Sequence, residues 1–320
     1  MSDVHRSGYV ALVGPPNVGK STLLNRILGE KVSIVSPKPQ TTRERILGIM
    51  HTDVLEMIFV DTPGLHEASP KRGAGLSRFM NHAARSAMRD ADVVALVIDI
   101  KENEGSGPPS ARIQRAFAEV ASLPQPKILL INKIDRVHKP QLLPFLSAVA
   151  QLGHFDEIIP ISAKSGDGVD IFLAVAEKRM PAGPRLFERD QVTDATERKV
   201  ASELVREQIF LQLEEELPYA SAVITEKFEE TTTKKGEPIV KISAAIVVER
   251  DSQKGIVIGK KGARLKEIGE KARHQIATML GCKVHLELFV KAVPNWSERE
   301  ASLRELGYDE STIESPGSEP

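Results

Sequence analysis

The sequence predicts a mainly parallel, doubly wound α/β domain followed by a smaller α+β domain. Apolar runs typical of buried strands alternate with helix-like segments up to about Pro181, which favours a parallel sheet covered by helices. Two prolines and a glycine then interrupt the chain between Met180 and Arg185. Later strand segments alternate apolar and polar residues, as in a sheet with one buried face. The predicted parts are a first domain over residues 1–180, a linker over 181–190, a second domain over 191–296 and a tail over 297–320.

Several strands of the first domain are continuous apolar runs, so we expect them to be buried on both faces of the sheet. In such a sheet, ligands bind beyond the carboxyl ends of the strands. The predicted strands are Tyr9–Val13, Arg45–His51, Leu55–Val60, Val93–Ile98, Ile128–Ile131 and Glu157–Ile161. The predicted helices are Ser21–Leu28, Gly75–Arg89, Ser110–Ala121, Gln141–Gln151 and Val169–Arg179.

Length and composition narrow the class of protein. The chain has 320 residues, one cysteine and a formal net charge of −1. A single cysteine forms no intramolecular disulfide, which suits a reducing cytosol, and Cys282 is expected to fill a core. No apolar run approaches the roughly 20 residues that span a bilayer. We expect a cytoplasmic protein, while peripheral association with the inner face of the cell membrane stays open.

A phosphate-binding loop follows the first strand. Residues 14–21, Gly-Pro-Pro-Asn-Val-Gly-Lys-Ser, fit the pattern G-x-x-x-x-G-K-[ST] between a predicted strand and a predicted helix. The glycines let backbone N–H groups point at phosphate oxygens, and the helix N-terminus adds partial positive charge. Lys20 is expected to reach the outer phosphates, and Ser21 to bind Mg²⁺. The residues expected to contact the nucleotide here are Gly14, Asn17, Val18, Gly19, Lys20, Ser21 and Thr22.

Two further segments are expected to sense a third phosphate. Asp61, at a strand end, could hold Mg²⁺ through water, and the N–H of Gly64 could approach a γ-phosphate. The polar segment 36–43 lies between the first helix and the second strand, where a mobile switch loop would lie. A threonine there would bind Mg²⁺ only when a third phosphate is present, and we predict Thr42, with Thr41 as the alternative. The predicted metal ligands are Ser21, Thr42 and Asp61, and the predicted catalytic residues are Lys20, Thr42 and Gly64.

Two loops at later strand ends predict specificity for guanine. The carboxylate of Asp135 can accept both N–H groups of the guanine edge, a pair that adenine lacks, and a buried carboxylate left unpaired would penalise the wrong base. Asn132 would tie its loop to the phosphate loop, and the stem of Lys133 would cover the base. The N–H of Ala163 is expected to meet the guanine carbonyl oxygen. The residues predicted to contact or shape the base site are Asn132, Lys133, Asp135, Ser162, Ala163 and Lys164.

The residue after Gly64 changes the expected mechanism of hydrolysis. Leu65 stands where a glutamine could orient the attacking water, and an aliphatic side chain cannot do so. We therefore expect slow intrinsic hydrolysis, with the water positioned by the backbone, a cation or a partner. His66 is expected to be an exposed switch residue.

The second domain is predicted to begin with a helix and end with a strand. Thr196–Leu217 has apolar residues spaced for one broad helical face. The strands Ser221–Phe228 and Ile239–Val248 follow around a polar turn. In the second of these strands and in a later one, alternate residues are apolar and should share a buried face. They are Ile242, Ala244, Ile246 and Val248 in one strand, and Val284, Leu286, Leu288 and Val290 in the other.

The second domain carries a candidate RNA-binding loop. Gly-Lys-Lys-Gly at 259–262 lies between an apolar run and a helix with one apolar face, and a GxxG loop between helices is how a KH domain clamps single-stranded nucleic acid. Residues 254–274 contain seven basic and two acidic residues, although a solvated helix face is the ordinary explanation of such a run. The predicted RNA-binding residues are Gly259, Lys260, Lys261, Gly262 and Arg264.

As a set, these motifs resemble the Era family of GTPases. The resemblance rests on GPPNVGKS, QTTR, DTPG, NKID and SAK in the first domain, and on IVIGKKGARLKEIG and VKAVPNW in the second. It implies a phosphate-loop GTPase that uses GTP, GDP and Mg²⁺, joined to a type II KH domain. It also implies binding to 16S ribosomal RNA near its 3′ end and a role in maturation of the small (30S) ribosomal subunit. We expect a monomer. Asn17 lies where some GTPases of this branch hold K⁺, and the sequence leaves the use of K⁺ open.

Two other functions stay open on the sequence alone. In the first, the GTPase is nearly idle and acts as a structural sensor within an RNA-binding assembly factor, an alternative that Leu65 supports. In the second, the chain is a tRNA-modification or two-GTPase assembly factor of the same branch, which the single phosphate loop disfavours.

The C-terminal tail is acidic. Residues 298–320 carry seven acidic and two basic side chains, and we predict a disordered, solvated tail. An RNA mimic that shields the basic GxxG loop is the alternative.

Overall fold

The first domain is a six-stranded sheet with helices on both faces. The structure, a computed structural model, describes residues 5–65, 73–102, 109–152 and 155–309. The strands are β1 (Arg6–Val13), β2 (Ile46–His51), β3 (Leu55–Asp61), β4 (Val93–Asp99), β5 (Lys127–Asn132) and β6 (Glu157–Pro160). The helices are α1 (Lys20–Leu28), α2 (Ala74–Asp90), α3 (Ala111–Ala121), α4 (Lys139–Ala150) and α5 (Val169–Glu177). The predicted elements all form, and their ends shift by at most three residues.

The order of the strands brings the predicted loops together. The sheet runs β2-β3-β1-β4-β5-β6, with β2 antiparallel to β3 and the other pairs parallel. The apolar residues of β1, β4 and β5 are almost all fully buried, because helices cover both faces. The segments that follow β1, β3 and β5 leave the same edge of the sheet, which is where ligands bind in doubly wound folds. The predicted fold class is confirmed.

The second domain is a three-stranded sheet with helices packed on one face. Its elements are α6 (Glu197–Gln212), β7 (Ser221–Thr232), β8 (Pro238–Val248), α7 (Asp251–Ile258), α8 (Ala263–Leu280) and β9 (Lys283–Ala292). The order is β7-β8-β9, with β7 antiparallel and β9 parallel to β8. The alternate apolar residues predicted in β8 and β9 share one core with α6 and α8. Among the described residues, no helix is both long and apolar enough to cross a membrane.

Helix α6 ends five residues before the predicted end at Leu217. Leu213 already has an extended backbone, with φ −100° and ψ 153°, and Glu215 has a left-handed φ of 53°. Leu213 and Leu217 are nevertheless buried in the domain core, which is why their spacing resembled a continued helix. Because α6 ends at Gln212, residues 214–220 can turn back toward the first domain.

The predicted linker is held against the first domain. The backbone N–H groups of Leu186 and Phe187 donate to the carboxylate of Glu56, at 2.7 and 3.3 Å. Glu56 is fully buried, and Ile49 N donates to Val192 O at 2.9 Å. Because these contacts fix the path of the chain between the domains, residues 186–192 are not a free tether.

The prediction of a disordered tail is wrong for residues 297–309. A short helix, α9 (Glu300–Glu305), lies here, and the side chains of Leu303, Leu306 and Tyr308 are buried. They belong to an apolar cluster, here called the tail cluster, that joins α2 to the outer face of the second sheet. The composition of this segment did not predict its packing, because its acidic side chains outnumber the three buried apolar side chains. The tail cluster consists of Leu76, Phe79, Met80, Ala83, Ala222, Val247, Trp296, Leu303, Leu306 and Tyr308. Residues 310–320 lie outside the described residues.

Truncation after Trp296 is expected to lower thermal stability, because it removes three buried side chains worth roughly 1.5–3 kcal/mol each. The midpoint of thermal unfolding should fall by several degrees, and limited proteolysis should become faster. Truncation after Asp309 is the matched control, since it keeps the tail cluster intact. Equal midpoints for the two truncated proteins would contradict a stabilising role for residues 297–309.

Candidate functional site

The phosphate loop has the backbone geometry that its glycines predict. Gly14, Asn17 and Gly19 have positive φ angles of 141°, 66° and 103°. A Cβ atom on Gly14 would lie 2.2 Å from the carbonyl oxygen of Val97, and one on Gly19 would lie 2.4 Å from Nδ2 of Asn132. Only glycine fits at these two positions. The loop leads directly into α1, so its N–H groups and the helix N-terminus face the same space.

Lys20 lies beneath this loop. Its side chain is buried, and Nζ donates to the carbonyl oxygens of Gly14 and Pro15 at 3.0 and 3.1 Å. Burial lowers the pKa of Lys20 to about 8, with Asp61 opposing that shift and Arg112 adding to it. The ammonium group is therefore still mostly charged at pH 7, and an anionic phosphate would stabilise it further.

Three predicted metal ligands converge at one point. Ser21 Oγ donates to Asp61 Oδ2 at 2.6 Å and lies 2.9 Å from Thr42 Oγ1. Thr42 Oγ1 itself lies 3.5 Å from the same carboxylate oxygen. A fourth residue, Ser33, which the sequence analysis missed, donates to Asp61 Oδ2 at 2.9 Å. Thr41 instead bonds to Lys38 O and Ser36 Oγ, so the geometry favours Thr42 over Thr41.

The cluster fits a magnesium ion. Hydroxyl and carboxylate oxygens are the hard ligands that Mg²⁺ prefers. Asp61 is fully buried, and its Oδ1 atom has no hydrogen-bond partner among the residues that the structure describes. Burial raises the pKa of Asp61, with Lys20 and the Ser21 hydroxyl acting in the opposite direction. A nearby cation would offset the cost of keeping this carboxylate charged.

Asn132 joins three loops at the base site. Its Nδ2 donates to Val18 O at 2.7 Å, and its Oδ1 accepts from the N–H groups of Lys133 and Ala163 at 2.7 and 2.9 Å. The predicted tie to the phosphate loop is therefore present in the structure. The N–H of Ala163, however, was expected to face guanine, and here it points at Asn132 instead. The reason is that Asn132 is 1 % exposed, so its amide oxygen needs buried donors.

The two other residues of the NKID loop have different environments. Lys133 Nζ donates to Asn17 O and to Asp99 Oδ2, both at 2.6 Å, and so spans the phosphate loop and the end of β4. Asp135 is exposed, and Ser162 Oγ donates to its Oδ1 at 2.7 Å. A base bound beside Lys133 would bury the carboxylate of Asp135 against its own edge. Asp99 was not predicted, although it too stands at a strand end.

Arg26 of α1 supports the last of these loops. Its guanidinium donates to the carbonyl oxygen of Ala163 at 3.3 Å and to that of Lys164. Nothing in the short motifs indicated this residue, which lies inside the first helix. Asn132 accepts from the N–H of Ala163 and Arg26 donates to its carbonyl oxygen, so both backbone groups of this residue are held.

Gly64 and Leu65 close the site from the β3 side. A Cβ on Gly64 would lie 2.7 Å from the backbone nitrogen of Pro16. A larger residue at this position would therefore clash with the phosphate loop. Leu65 N donates to Gly14 O at 3.0 Å, and the Leu65 side chain is half-buried. His66 lies outside the described residues. The phosphate loop, the switch segment and the NKID loop together line a cavity of ≈ 410 Å³.

The switch segment is docked on the second domain, a contact that the sequence did not predict. Arg43 is 2 % exposed and donates to the carbonyl oxygens of Ser221, Pro218 and Tyr219 at 2.7, 3.1 and 3.0 Å. Its guanidinium also lies 5.8 Å from the ring centroid of Trp296, a cation–π distance. All these partners lie in the turn after α6 or at the end of the second domain.

Helix α6 holds the rest of the segment and the residues just before it. Arg206 donates to Thr41 O at 2.5 Å, and Lys38 Nζ donates to Phe210 O at 2.7 Å. Glu207 accepts from Val35 N at 2.9 Å and pairs with Lys31 at 2.5 Å. Several polar residues of α6 are buried, of which Arg206 and Glu207 make these contacts, whereas the predicted apolar face accounts for only one side of the helix. They are Ser202, Arg206, Glu207 and Gln208.

The GxxG loop lies between α7 and α8. Gly259 and Gly262 have positive φ angles of 74° and 79°, and Lys261 has one of 52°. A Cβ on Gly259 would lie 2.7 Å from Cβ of Arg264, whereas one on Gly262 would meet open space. The side chains of Lys260 and Lys261 are exposed. This backbone presents two cations at the start of α8, whose N-terminus also favours anions.

A groove runs from this loop between α8 and β9. It has a volume of ≈ 430 Å³ and a floor of Leu265, Leu286 and Leu288, with Lys266 and Arg273 beside it. An apolar floor with cations at its edge suits bases on one side and phosphates on the other.

Together the two domains define a GTPase joined to a KH domain. The family described as "50S ribosome-binding GTPase" matches residues 9–133, and the family described as "KH domain" matches residues 216–297. GTPase Era of Geobacter metallireducens is 46 % identical over 303 residues, covering 95 % of this chain and 98 % of that protein. GTPase Era of Syntrophus aciditrophicus is 43 % identical over 309 residues, covering 97 % of each. The chain belongs to the Era family of GTPases.

Two solved structures share the arrangement of both domains. The crystal structure of Era in complex with MgGDPNP and nucleotides 1506–1542 of 16S ribosomal RNA is 39 % identical, with a TM-score of 0.88 over 95 % of this chain and 99 % of that chain. The crystal structure of a point variant of Aquifex aeolicus Era bound to GDP and AlF4⁻ is 39 % identical, with a TM-score of 0.87 over the same shares.

Replacement of Asn132 by alanine is expected to lower the stability of the first domain by about 3 kcal/mol, since three backbone groups at Val18, Lys133 and Ala163 lose a buried partner. Urea unfolding followed by circular dichroism measures the change. Asp135→Ala is the matched control, because its carboxylate is exposed and accepts from the Ser162 hydroxyl rather than holding three buried backbone groups. A wild-type midpoint for Asn132→Ala would contradict a structural role for this amide.

Proposed function

We propose that this chain is a GTP-hydrolysing switch that binds the 3′ end of 16S ribosomal RNA and assists maturation of the small ribosomal subunit. The observation that carries the proposal is the docking of the switch segment, through Arg43 and Lys38, onto the domain that holds the GxxG loop. A solved relative that matches both domains is described as bound to MgGDPNP and to 16S ribosomal RNA, which supports the same two ligands here.

The nucleotide would lie along the phosphate loop. Backbone groups from Gly14 to Thr22 surround the phosphates, and Lys20 exchanges its carbonyl partners for phosphate oxygens. Asp135 accepts the guanine N–H pair, with Ser162 holding its carboxylate in place at 2.7 Å. Asn132 positions the base loop, and Lys133 covers the base. Val18, Ala163 and Lys164 shape the remaining wall.

Ser21 and Thr42 would hold the metal ion directly, and Asp61 would hold it through water. When bound, Mg²⁺ supplies positive charge against the phosphate oxygens that gain charge during hydrolysis. Lys20 adds a second cation. The N–H of Gly64 donates toward the third phosphate, so Lys20, Thr42 and Gly64 form the catalytic group of this proposal.

Leu65 leaves the attacking water without a side-chain partner at this position, so intrinsic hydrolysis is expected to be slow. Asn17 Nδ2 donates to Pro37 O of the switch segment at 2.9 Å, which places the Asn17 amide between the two loops. A K⁺ ion held there remains a prediction, and turnover that is equal in KCl and NaCl would argue against it.

RNA binding is assigned to the loop at Gly259 and Gly262, with Lys260, Lys261 and Arg264 facing the phosphates. Arg264 donates to Ile256 O at 3.1 Å, which fixes its stem beside the loop. The apolar floor between α8 and β9 would receive bases. The partners in this proposal are 16S ribosomal RNA and the small subunit in the cytoplasm, with the chain acting as a monomer. Peripheral membrane association stays a prediction.

The coupling between the two ligands follows from the docking. Thr42 touches the metal cluster, and Arg43, the next residue, is bound by the second domain. A third phosphate would pull Thr42 toward the metal. Either Arg43 then moves relative to the turn at 218–221, or the turn holds Arg43 in place and resists the movement of Thr42. Either way the free energy of nucleotide binding depends on the position of the RNA-binding domain.

Crosslinking of the protein to RNA in living cells, followed by sequencing, tests the proposed function. We expect the crosslinks to concentrate at the 3′ end of small-subunit ribosomal RNA, because the GxxG loop and the groove beside it are built for single-stranded RNA. A Gly259→Asp variant, which adds a negative charge at the loop, should lose these crosslinks while keeping its intrinsic GTPase activity. Crosslinks mainly to transfer or messenger RNA would contradict the proposal.

Substitution of Arg43 by alanine is expected to uncouple the two sites. Three carbonyl groups lose their donor, each at a cost of about 1–3 kcal/mol, so the switch segment should detach from the second domain. The ratio of RNA affinities in a non-hydrolysable GTP analogue and in GDP should then fall toward one. Arg43→Lys keeps the charge without the planar fork of donors and should give an intermediate ratio.

Arg189→Ala is the control for Arg43→Ala, since Arg189 is exposed and lies in the chain segment between the domains. It should keep the wild-type ratio of RNA affinities. An Arg43→Ala protein that also keeps the wild-type ratio, with normal nucleotide binding, would show that the docking does not transmit the nucleotide state.

A further inference from the structure

Arg112 of α3 binds the phosphate loop from outside the nucleotide cavity. Its Nη2 atom donates to the carbonyl oxygen of Pro16 at 2.8 Å, across 96 residues of sequence. Arg112 belongs to none of the motifs that predicted the nucleotide site, and the proposed function gives its side chain no role.

The first turn of α3 is an electrostatically unfavourable place for this arginine. The turn contains no acidic residue, and the partial positive charge of a helix N-terminus disfavours a cation. Burial lowers the pKa of Lys20, and the charge of Arg112 adds to that shift, so the guanidinium also repels the cation beneath the loop. The contact with Pro16 therefore places a positive charge where both the helix and the nearby lysine oppose it.

The base of the Arg112 side chain is held firmly. Ser110 caps α3 by accepting from the N–H of Ile113 at 3.4 Å, and the side chain of Ile113 is fully buried. The guanidinium thus reaches the loop from a fixed turn of a helix. A hydrogen bond from a charged donor is also stronger than one between neutral groups.

Pro16 forms the wall between the nucleotide cavity and Arg112. It lines that cavity together with Gly64, and it lines a groove between α2 and α3 together with Arg112. The backbone nitrogen of Pro16 lies so close to Gly64 that a Cβ on Gly64 would be 2.7 Å away. A shift of Pro16 would therefore displace Gly64, whose N–H is proposed to meet the third phosphate.

Lys20 holds the neighbouring carbonyl groups only while no phosphate is bound. Its Nζ atom donates to Gly14 O and Pro15 O, and in the proposed function it exchanges them for phosphate oxygens. Pro15 and Pro16 have no N–H of their own to donate to a phosphate. The bond from Arg112 is not part of this exchange, so it can hold the Pro16 carbonyl in the nucleotide-bound state as well.

We infer that Arg112 is a positioning residue for GTP hydrolysis, because by holding the carbonyl group of Pro16 it keeps the phosphate loop at the distance from Gly64 that the third phosphate requires. Arg112 acts through Pro16 and does not itself touch the nucleotide. The inference rests on the proposed function, since it assumes that Gly64 meets the third phosphate. GDP lacks that phosphate, so the role predicts an effect on GTP that GDP does not share.

The variant Arg112→Met, which keeps a long side chain and removes the donor, tests the inference in the full chain. Three quantities are measured: the affinity for GDP, the affinity for a non-hydrolysable GTP analogue, and the rate of single-turnover hydrolysis at saturating GTP. Arg85→Met is the matched control, because it removes an exposed arginine of the same groove whose partner is Glu119.

The Arg112→Met protein should bind GDP within about twofold of the wild type and hydrolyse bound GTP about tenfold more slowly, the low end of the effect of one hydrogen bond from a charged group. Its affinity for the GTP analogue should fall by more than its affinity for GDP. Arg112→Lys should recover part of both losses, because an ammonium group can still donate one bond. Arg85→Met should keep all three wild-type values.

A wild-type rate of hydrolysis together with a wild-type ratio of the two affinities in Arg112→Met would overturn the inference. Equal losses of affinity for GDP and for the analogue would overturn it too, because they would show that Arg112 supports the loop as a whole. Failure of the wild-type protein to hydrolyse GTP would instead contradict the proposed function. Thermal unfolding checks that each variant folds, and if methionine lowers the midpoint, Arg112→Gln should show the same selective losses.

Discussion

The buried guanidinium of Arg43 is the contact on which the arrangement of the two domains depends. It crosses from the switch segment of the GTPase domain to three carbonyl groups of the KH domain. A buried arginine that loses its acceptors costs several kcal/mol, so this segment cannot leave its dock without finding new partners. The carbonyl groups are available because α6 ends at Gln212 and the chain turns back beneath Arg43. Trp296 closes the same space and donates to Ala220 O at 3.0 Å.

One peptide bond separates the two roles of the switch segment. The hydroxyl of Thr42 belongs to the cluster around the buried carboxylate of Asp61, while the side chain of Arg43 belongs to the second domain. The tail cluster adds a further connection, because it packs α2, which follows the DTPG segment in the chain, against the outer face of the second sheet. The two domains are therefore joined at the switch segment and at the helix that follows the DTPG segment in the chain.

Local chemistry made much of this molecule predictable from sequence. Strands that are apolar along their whole length, and motifs at their carboxyl ends, predicted that Lys20, Asp61 and Asn132 lie around the phosphate loop, and each of them bonds to a residue of that loop. Contacts between distant segments were not predictable, because no local pattern encodes them. The acidic composition of residues 298–309 concealed three apolar anchors, and Leu213 and Leu217 kept a helical spacing beyond the end of the helix. The N–H of Ala163 was expected to face guanine, but the buried oxygen of Asn132 needed a donor. The arginine of QTTR was visible, but its acceptors lie 175 to 178 residues away.

The central claim is that the nucleotide and the RNA affect each other through the docked switch segment. The most direct test measures the affinity of the full chain for GDP and for a non-hydrolysable GTP analogue, each with and without a saturating 3′-terminal 16S RNA segment. Thermodynamic linkage requires that RNA change the preference between the nucleotides by the same factor by which the nucleotides change RNA affinity. We expect a factor of at least about 5, the lower end of typical coupling energies. A factor of one, with RNA bound equally well in both states, would contradict the account.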